Sequence, residues 1–462
     1  MVSFYKPKKG VNTGSQKHKA NKRGKNPGRS AQVLESQTIE IDSWDWQGLG
    51  VSRQHPITFV DGALPDENCD VRIFKQQKNV AHATVSQINK PSDLRRAPFC
   101  PIAERCGGCQ LQHVSAKDAL DLRQEALGTL WKKQLGLEDI PWQPALTGEH
   151  PAYRRKARLA LDARDKNAVR IGFREIRGKQ VVDVESCPVL VSPLNSLLPA
   201  LRELLLAHEG VRHVGHISLL HGDNCSQVTL KMTRSVSQAM LQALTDFGKK
   251  HSVNIQLEAT DNDFHTLHHV APVICETEPG LYITPQANDF VQVNRDVNQK
   301  MIAQAMDWLS PQTGERIADW FSGLGNFSLS LAKRGARVQA VEGVSEMVQR
   351  ARQSAREQGI DNIDWLHLDL TKPHVIKQAL SAGFDKVLLD PSREGALQVC
   401  EALADVNANV KAKAILYVSC NPSTFTRDAK VLLDSGYEMD KVGVLEMFPY
   451  TRHLEVMALF SQ

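Results

Sequence analysis

The C-terminal part of the chain alternates short apolar runs with amphipathic stretches, which predicts a parallel sheet flanked by helices. Strands are predicted over residues 316–321, 337–342, 363–369, 386–390, 414–419 and 454–460. Helices are predicted over residues 295–309, 327–335, 345–358 and 396–406. Residues 286–462 are therefore expected to form a doubly wound, Rossmann-like α/β domain.

The preceding part of the chain has other patterns. Residues 33–92 contain short apolar strands separated by turn signals, which predicts a small five-strand β-barrel of the OB type. Residues 93–285 are mixed, with a helix at 116–135 that Ser115 and Asp118 cap, strands at 153–161, 168–175 and 181–185, and a helix near 193–208. We therefore predict a multidomain α/β protein with a β-barrel, a central α+β domain and a Rossmann-like domain.

The net charge of +4 conceals an asymmetry along the chain. Residues 1–34 contain nine lysines and arginines and no acidic residue, which leaves 47 basic and 52 acidic residues in the remainder. A segment of this composition cannot bury enough apolar surface to fold. Residues 1–32 are expected to form a disordered basic tail that binds a polyanion such as RNA, with a merely solubilising end as the alternative.

The chain contains no apolar run of 18 residues and no apolar leader. Neither a transmembrane helix nor a secretory signal is expected, so the sequence favours a cytoplasmic protein without a membrane partner. Nine cysteines in such a chain do not indicate disulfides. We expect a monomer.

A glycine loop follows the first strand of the Rossmann-like domain. Gly323 and Gly325 allow a ligand to approach the backbone, and the next helix begins directly after them. Glu342 ends the second strand, where a carboxylate can accept the hydroxyls of a ribose, and Asp390 ends the fourth. This pattern favours an adenosine-containing cofactor. Ser328 replaces the third glycine of the NAD fingerprint, which favours S-adenosylmethionine.

One cysteine stands at the end of a predicted buried strand. Residues 415–418 are apolar and run directly into Ser419, Cys420 and an Asn-Pro turn, which lifts the Cys420 thiol to the edge of the sheet. A thiol at this edge is a candidate nucleophile. The alternative is a small buried apolar side chain.

Four other cysteines form a pattern typical of metal ligation. Cys100, Cys106 and Cys109 have the spacing C-x5-C-x2-C, and Cys187 is followed by Pro188. The spacing favours four thiolates that hold a [4Fe-4S] cluster. Structural zinc is the main alternative, although zinc sites usually pair two C-x2-C arms, and free buried cysteines are another.

A basic strand is predicted near the start of the central domain. Alternation along residues 153–161 directs Arg154, Lys156 and Arg158 to one face, where they could contact RNA phosphates. A solvated edge strand is the alternative. Tyr153 and Phe173 could stack on a base, but a core role is the ordinary interpretation of either.

Several segments, in this order, resemble motifs of the RNA uracil-C5 methyltransferase family: residues 285–294, 319–327, 390–393, 419–422 and 453–455. The resemblance implies covalent catalysis by Cys420 with Glu455 as general base. It implies cofactor contacts at these positions: Gln292, Phe321, Asn326, Glu342, Asp369 and Asp390. It also implies that the barrel is a TRAM domain, and the barrel together with the four-cysteine loop is typical of the branch acting on 23S ribosomal RNA.

Three alternatives remain at the level of sequence. The target could be a uracil elsewhere in ribosomal or transfer RNA. It could be C5 of cytosine, although that class carries Pro-Cys after the fourth strand, where this chain has Asp390-Pro391-Ser392. A non-catalytic RNA-binding factor with the same fold is the third. Ser322 and Ser392 depart from the family pattern by small substitutions.

Overall fold

The computed structural model describes residues 36–165, 167–260, 263–405 and 412–462. The predicted basic tail, residues 1–32, lies outside these ranges. Within them, no helix is both long enough and apolar enough to cross a lipid bilayer. Three large sheets and a two-stranded ribbon carry the described fold.

The first sheet is formed by residues 36–90, in the strand order β1-β5-β6-β4-β3-β2. Its strands are β1 (Ser36–Glu40), β2 (Ser43–Trp44), β3 (Gly50–Ser52), β4 (Ile57–Asp61), β5 (Asn68–Gln76) and β6 (Val80–Lys90). The β-rich character predicted here is confirmed, but six strands replace the five expected. The first predicted strand is split because the Ile41 amide donates to Glu67 O whereas the Asp42 amide donates to Val51 O, so the chain changes partner.

Helix α1 (Ala116–Leu135) has the bounds predicted from sequence. The Asp118 amide donates to Ser115 Oγ at its N-terminus, and Gly136 ends it in the left-handed region. Its apolar face packs onto the C-terminal sheet domain, and Trp131 Nε1 donates to Thr426 Oγ1 at 2.7 Å. Helix α1 and the segment after it therefore bury their apolar side chains against the C-terminal sheet, although they fall within the range 93–285 predicted for the central domain.

The second sheet, in the order β13-β12-β11-β10-β7-β8-β9, forms the central part of the molecule. Its strands are β7 (Lys156–Asp162), β8 (Arg170–Arg174), β9 (Val181–Asp183), β10 (Val214–His221), β11 (Ser226–Met232), β12 (Val253–Thr260) and β13 (Asp263–His268). Three helices accompany it: α2 (Ser192–Asn195), α3 (Leu197–Leu206) and α4 (Gln238–His251). The single helix predicted near 193–208 is thus two helices that meet at Ser196. A ribbon of β14 (Cys275–Glu278) and β15 (Leu281–Ile283) follows.

The third sheet has the order β18-β17-β16-β19-β20-β22-β21 and matches the predicted doubly wound domain. Its strands are β16 (Arg316–Trp320), β17 (Arg337–Glu342), β18 (Ile363–His367), β19 (Lys386–Leu389), β20 (Ala414–Ser419), β21 (Glu438–Leu445) and β22 (Glu455–Ser461). Its helices are α5 (Arg295–Leu309), α6 (Ser328–Lys333), α7 (Ser345–Glu357), α8 (Pro373–Leu380), α9 (Leu397–Ala404) and α10 (Pro422–Asp434). Sequence patterns did not predict α8, α10 or β21.

Strand β22 runs antiparallel and lies between β20 and β21, whereas the other neighbours from β18 to β20 pair in parallel. Apolar clusters cover both faces of this sheet. Because β22 is reversed, its first residue lies at the same sheet edge as the carboxyl ends of β16, β17, β19 and β20. Functional side chains from five strands can therefore meet at that edge.

Candidate active site

A cavity of about 440 Å³ opens at this edge of the C-terminal sheet. It brings together seven of the eight residues predicted for catalysis and cofactor binding: Gln292, Phe321, Asn326, Glu342, Asp390, Cys420 and Glu455. Phe290 and Arg393, to which the sequence argument gave no role, also line it.

The eighth residue, Asp369, lies elsewhere. Strand β18 ends at His367, two residues before Asp369, and not at Asp369 as predicted. The exposed Asp369 carboxylate accepts hydrogen bonds from Thr371 N and Thr371 Oγ1 at 3.0 and 2.6 Å. These bonds and Lys372 lower its pKa to about 2. The prediction of Asp369 at a strand end is therefore wrong, and its side chain is not among those lining the cavity.

The glycine loop has a conformation that restricts its sequence. Gly325 has φ +93°, and a Cβ atom there would lie 2.6 Å from the Trp365 ring, so a larger residue would displace the loop. Gly323 N donates to Glu342 Oε2 at 3.1 Å, and Val344 N donates to Glu342 Oε1 at 3.0 Å. These bonds fix the Glu342 carboxylate beside the loop, as a ribose-binding carboxylate requires.

Two amide side chains, Asn326 and Gln292, also line the cavity. Asn326 and the buried Asn298 exchange hydrogen bonds of 2.9 and 3.0 Å. Gln292 is buried, and Arg155 Nε holds its backbone oxygen at 2.9 Å. Gln292 Oε1 has no hydrogen-bond partner among the described residues. A buried amide oxygen without a partner favours a donor on a bound ligand.

Two buried carboxyl groups, Asp319 and Glu455, and the half-buried carboxyl of Asp390 have raised pKa values. Burial raises the pKa of Asp319 to about 7, although Ser328 Oγ donates to it at 2.5 Å. Burial and the charge of Asp319 raise the pKa of Asp390 to about 7. Burial and Asp390 raise the pKa of Glu455 to about 8. The charge of Asp319 thus disfavours ionisation of Asp390, and the charge of Asp390 disfavours ionisation of Glu455.

Cys420 and Glu455 are placed by one antiparallel strand pair. Ser419 of β20 pairs with Val456 of β22, so extending the register by one residue sets Cys420 opposite Glu455. Strand β20 ends at Ser419, and Asn421 caps α10, because its Oδ1 accepts from the Ser423 amide at 3.2 Å. Oppositely placed residues of an antiparallel pair project to the same face. The site therefore holds a thiol beside a carboxyl group whose Oε2 has no partner in the described chain.

Arg393 and His453 complete the surroundings of the thiol. Arg393 acts to lower the pKa of Cys420, against the larger effects of burial and of Glu455 and Asp390. Its guanidinium lies 3.0 Å from His453 Nε2, and burial and Arg393 lower the pKa of His453 to about 4. Both residues stand in the motifs quoted above, but their meeting depends on two loops 60 residues apart in sequence. Spacing alone could not have revealed it.

The four cysteines predicted to bind metal line one further cavity. Cys100, Cys106, Cys109 and Cys187 surround about 110 Å³ of mostly apolar space. Gly108 N donates to Cys106 Sγ at 3.4 Å. Burial raises the pKa of Cys109 to about 12 and also raises the pKa of Cys106 and Cys187. A bound cation would reverse this, because thiols lose their protons on ligating metal.

The cysteine cavity suits an extended group. Across the described ranges, no three His, Cys, Asp or Glu side chains converge closely enough to hold a metal ion. A cubane holds its four thiolates farther apart than a single zinc ion does, because each thiolate binds a different corner. The four cysteines line one cavity, which makes them candidates to hold a metal centre together.

The basic strand is only partly available to a ligand. The alternation predicted from sequence is observed, since Arg155 is buried and Arg158 is exposed. Lys156 Nζ donates to the backbone oxygen of Asp289. Arg154 lies over the rings of Tyr153 and Phe448 at 5.7 and 5.6 Å. Of the three predicted RNA contacts, Arg158 is thus the exposed one.

Comparisons with known proteins identify one family for this chain. The profile of the tRNA (uracil-5-)-methyltransferase family matches residues 143–462. A 23S rRNA (uracil(1939)-C(5))-methyltransferase, RlmD, of Alteromonas naphthalenivorans is 49% identical, over 100% of this chain and 99% of its own length. RlmD of Shewanella sediminis is 39% identical over 94% of this chain and 98% of its own length.

The solved structures include a similar fold. The Pyrococcus abyssi tRNA (uracil-54, C5)-methyltransferase, in complex with S-adenosyl-L-homocysteine, superposes with a TM-score of 0.68 at 22% identity, over 92% of this chain and 100% of that one. At this identity the likeness concerns the fold. The profile match covers more than half of the chain, and the relatives match nearly all of it. The chain therefore belongs to the tRNA (uracil-5-)-methyltransferase family.

Proposed function

We propose that this protein methylates C5 of a uracil in 23S ribosomal RNA, at the position that its relatives' name gives as 1939. The observation that carries the proposal is the placement of Cys420 opposite Glu455 inside the cavity that Glu342 and Asp390 also line. A thiol and a general base on one face of a pyrimidine are what substitution at C5 requires. The choice of 23S rRNA rests on the relatives that match the whole chain.

S-adenosylmethionine fits the larger part of the cavity. Glu342 would accept the ribose hydroxyls, and the partnerless Gln292 Oε1 would accept a donor from the ligand. Phe321 and Asn326 would contact it from the glycine loop, and Asp390 from the end of β19. When bound there, S-adenosylmethionine supplies an electrophilic methyl group.

The residues of the chain would carry the remaining steps. The Cys420 thiolate adds to C6 of a uracil extruded from the RNA stack, which makes C5 nucleophilic. After methylation at C5, Glu455 removes the C5 proton and the Cys420 sulfur leaves C6, which restores the double bond. Arg393 would favour the thiolate before addition.

A covalent trap tests the proposal. A 23S rRNA fragment carrying 5-fluorouridine cannot lose a proton from C5, so with S-adenosylmethionine it should give a protein–RNA band on a denaturing gel. The band should be absent for Cys420→Ala. Methyl transfer to unmodified RNA without any trapped band would contradict uracil C5 as the target.

We also propose that residues 36–90 are a TRAM-like module. A [4Fe-4S] cluster is proposed to be bound by four cysteines: Cys100, Cys106, Cys109 and Cys187. The four cysteines line one cavity and their spacing suits a cubane. With four protein ligands, such a cluster would serve structure and not radical chemistry. Anaerobically purified protein should contain about four irons and four sulfides per chain. Cys187→Ser should lower the iron and the sulfide content. Cys69→Ser, in the first sheet, is the control and should lower neither. One zinc per chain would contradict the cluster.

Contacts to RNA phosphates are proposed for Arg158 and for the basic tail. Arg158 is exposed on β7, and residues 1–34 carry nine positive charges. Each lost phosphate contact should lower the slope of log affinity against log salt by about one. Arg158→Ala should therefore reduce the slope by about one, and deletion of residues 1–30 by more. The exposed Arg356 on α7 provides the control substitution.

A further inference from the structure

The segment immediately before Glu455 is a short loop, Pro449–His453, which we name the base loop. Tyr450 has φ +65°, a region that non-glycine residues rarely adopt. The loop makes local bonds, since Thr451 Oγ1 donates to Phe448 O at 2.9 Å and accepts from His453 N at 3.2 Å. Strained backbone persists only where its surroundings hold it.

Helix α1 holds the base loop through one buried guanidinium. Arg123 Nη1 donates to Thr451 O at 3.1 Å, and Arg123 Nη2 donates to Arg452 O at 2.8 Å. Arg123 Nε donates to Trp46 O of the first sheet at 2.8 Å. Arg123 is 5% exposed, so these carbonyls depend on it and not on water.

The cysteine loop holds the same segment from another side. The amides of Gln110 and Leu111 both donate to Tyr450 O at 2.9 Å. The Phe99 ring packs edge-on against the Tyr450 ring, with centroids 4.9 Å apart. The residues that flank Cys100 and Cys109 thus contact the backbone five residues before Glu455.

The first sheet makes the third attachment. Asp61, at the end of β4, accepts from Arg452 and also from Arg177 of the central domain. Arg177 in turn lies over the Phe74 ring at 4.1 Å. Three units outside the C-terminal sheet therefore converge on the five residues of the base loop, which contacts the cavity-lining Arg393 through His453 and leads through Leu454 to Glu455.

We propose that these attachments position Glu455 for removal of the C5 proton, with Arg123 as the principal positioning residue. The inference rests on the proposed function. On the β22 side Glu455 is held by its pairing with Leu445. On the other side, the base loop sets the direction from which the main chain reaches Glu455. A general base must reach within hydrogen-bond distance of the proton, and a displacement of about 1 Å can cost about 100-fold in rate.

The proposal assigns these attachments to one step of the reaction. Methylation of C5 needs Cys420 and the cofactor, whose residues lie at or just after the carboxyl ends of β16, β17, β19 and β20 or, for Gln292, before α5. Only the later proton removal needs Glu455. Loosening the base loop should therefore slow proton removal and leave methylation of the covalent adduct much less affected.

Two labels separate the steps. RNA with tritium at C5 of uracil reports proton removal as released tritium, and methyl-labelled S-adenosylmethionine reports methylation in a single turnover. Arg123→Lys keeps the charge, but its compact ammonium cannot span the three carbonyls that the planar guanidinium reaches with three separate nitrogens. We expect tritium release to slow at least tenfold (order of magnitude), with methylation of the adduct within about threefold, so that methylated adduct accumulates. Arg202→Lys, which replaces the guanidinium paired with Asp183 in the central domain, is the matched control and should leave both rates unchanged.

The outcomes are distinct. If wild-type enzyme neither methylates the RNA nor releases tritium, the proposed function fails. If wild type does both, and Arg123→Lys slows the two steps equally or slows neither, the positioning role is wrong. If circular dichroism shows that Arg123→Lys is misfolded, Asp61→Asn replaces it as the test variant, because it loosens the contact between Asp61 and Arg452 of the base loop. The ratio of the tritium-release rate to the methylation rate then decides in the same way.

Discussion

Burial and the neighbouring carboxyl of Glu455 together raise the pKa of the Cys420 thiol to about 11. Asp390 adds to the effect, and Arg393 opposes it. In the free protein the nucleophile is therefore protonated at neutral pH. The residue that later removes a proton from the substrate thus restrains the residue that starts the reaction.

This relationship predicts how alkylation of Cys420 depends on pH. The pKa of Glu455 is raised to about 8, so its charge acts on the thiol mainly above pH 8. Glu455→Gln removes that charge, which lowers the thiol pKa and should speed iodoacetamide alkylation of Cys420 several-fold at pH 9. Alkylation at pH 6.5, where Glu455 is mostly protonated, should be nearly unchanged. Peptide mass spectrometry gives both rates, and equal acceleration at both pH values would disprove the charge effect.

Glu455→Gln should also stall the reaction after methylation. Without a base, the C5 proton stays and the Cys420 sulfur cannot leave C6. We expect turnover to fall at least 100-fold, within the usual range for a lost general base. The covalent methylated adduct should accumulate on a denaturing gel with ordinary uracil RNA. Rapid turnover by this variant would remove Glu455 from the role.

The cofactor site offers a paired test of two acidic residues. Glu342 lines the cavity and receives two backbone hydrogen bonds, whereas Asp369 is exposed outside it. Glu342→Ala should weaken binding of S-adenosylhomocysteine at least tenfold, because each lost hydrogen bond to a charged group contributes about 1.5–3 kcal/mol. Asp369→Asn should change it less than about twofold. Calorimetry with both variants measures the difference, and a large effect of Asp369→Asn would restore the assignment that its position argues against.

A buried ion pair anchors the first sheet to the segment after it. Arg95 donates to Glu67 Oε2 at 2.8 Å, and the Leu64 amide donates to the same oxygen at 2.9 Å. Burial opposes ionisation of Glu67, but Arg95 and two backbone amides hold its pKa below the usual range. Glu67→Gln should destabilise the sheet by about 3 kcal/mol at pH 7 because Arg95 loses its charge partner.

The loss of stability in Glu67→Gln should depend on pH, because the pKa of Glu67 is lowered in the folded protein. A lowered folded pKa means that the stabilisation is present above the unfolded value of 4.5 and disappears as the pH falls through the folded value. The difference between wild type and Glu67→Gln should therefore shrink towards pH 3. Hydrogen exchange of β5 and β6 amides measures it, with the exposed Glu40→Gln as control. A difference that stays constant with pH would contradict the ion pair as its cause.

Sequence patterns predicted the elements that have strong local signals. The helices α1 and α5 and the strands β17 and β20 have the predicted bounds, because each combines clear periodicity with a cap or a turn. The α10 helix was missed because it follows directly on the Asn-Pro turn that was interpreted only as the end of a strand. Strand β21 was missed because its inner and outer residues do not alternate regularly.

The site was predictable to the extent that each residue ends a strand. Glu342 and Cys420 could be placed by that rule, and the same rule failed for Asp369 because β18 ends early. Glu455 was assigned through the resemblance and not through any local pattern. The roles of Arg123, Arg393 and His453 depend on contacts between distant segments, which hydrophobic periodicity does not encode.

The six residue pairs that join β20 to β22 fix the register between the nucleophile and the base. In a strand, successive side chains face opposite sides of the sheet, so a slip by one residue would turn Glu455 away and present Leu454 or Val456 to Cys420. Main-chain pairing thus decides which residue of β22 faces Cys420, and the contacts of the base loop adjust the approach of that residue. A variant library of this protein should tolerate conservative apolar substitutions within β20 and β22 far better than a single inserted or deleted residue between β21 and β22.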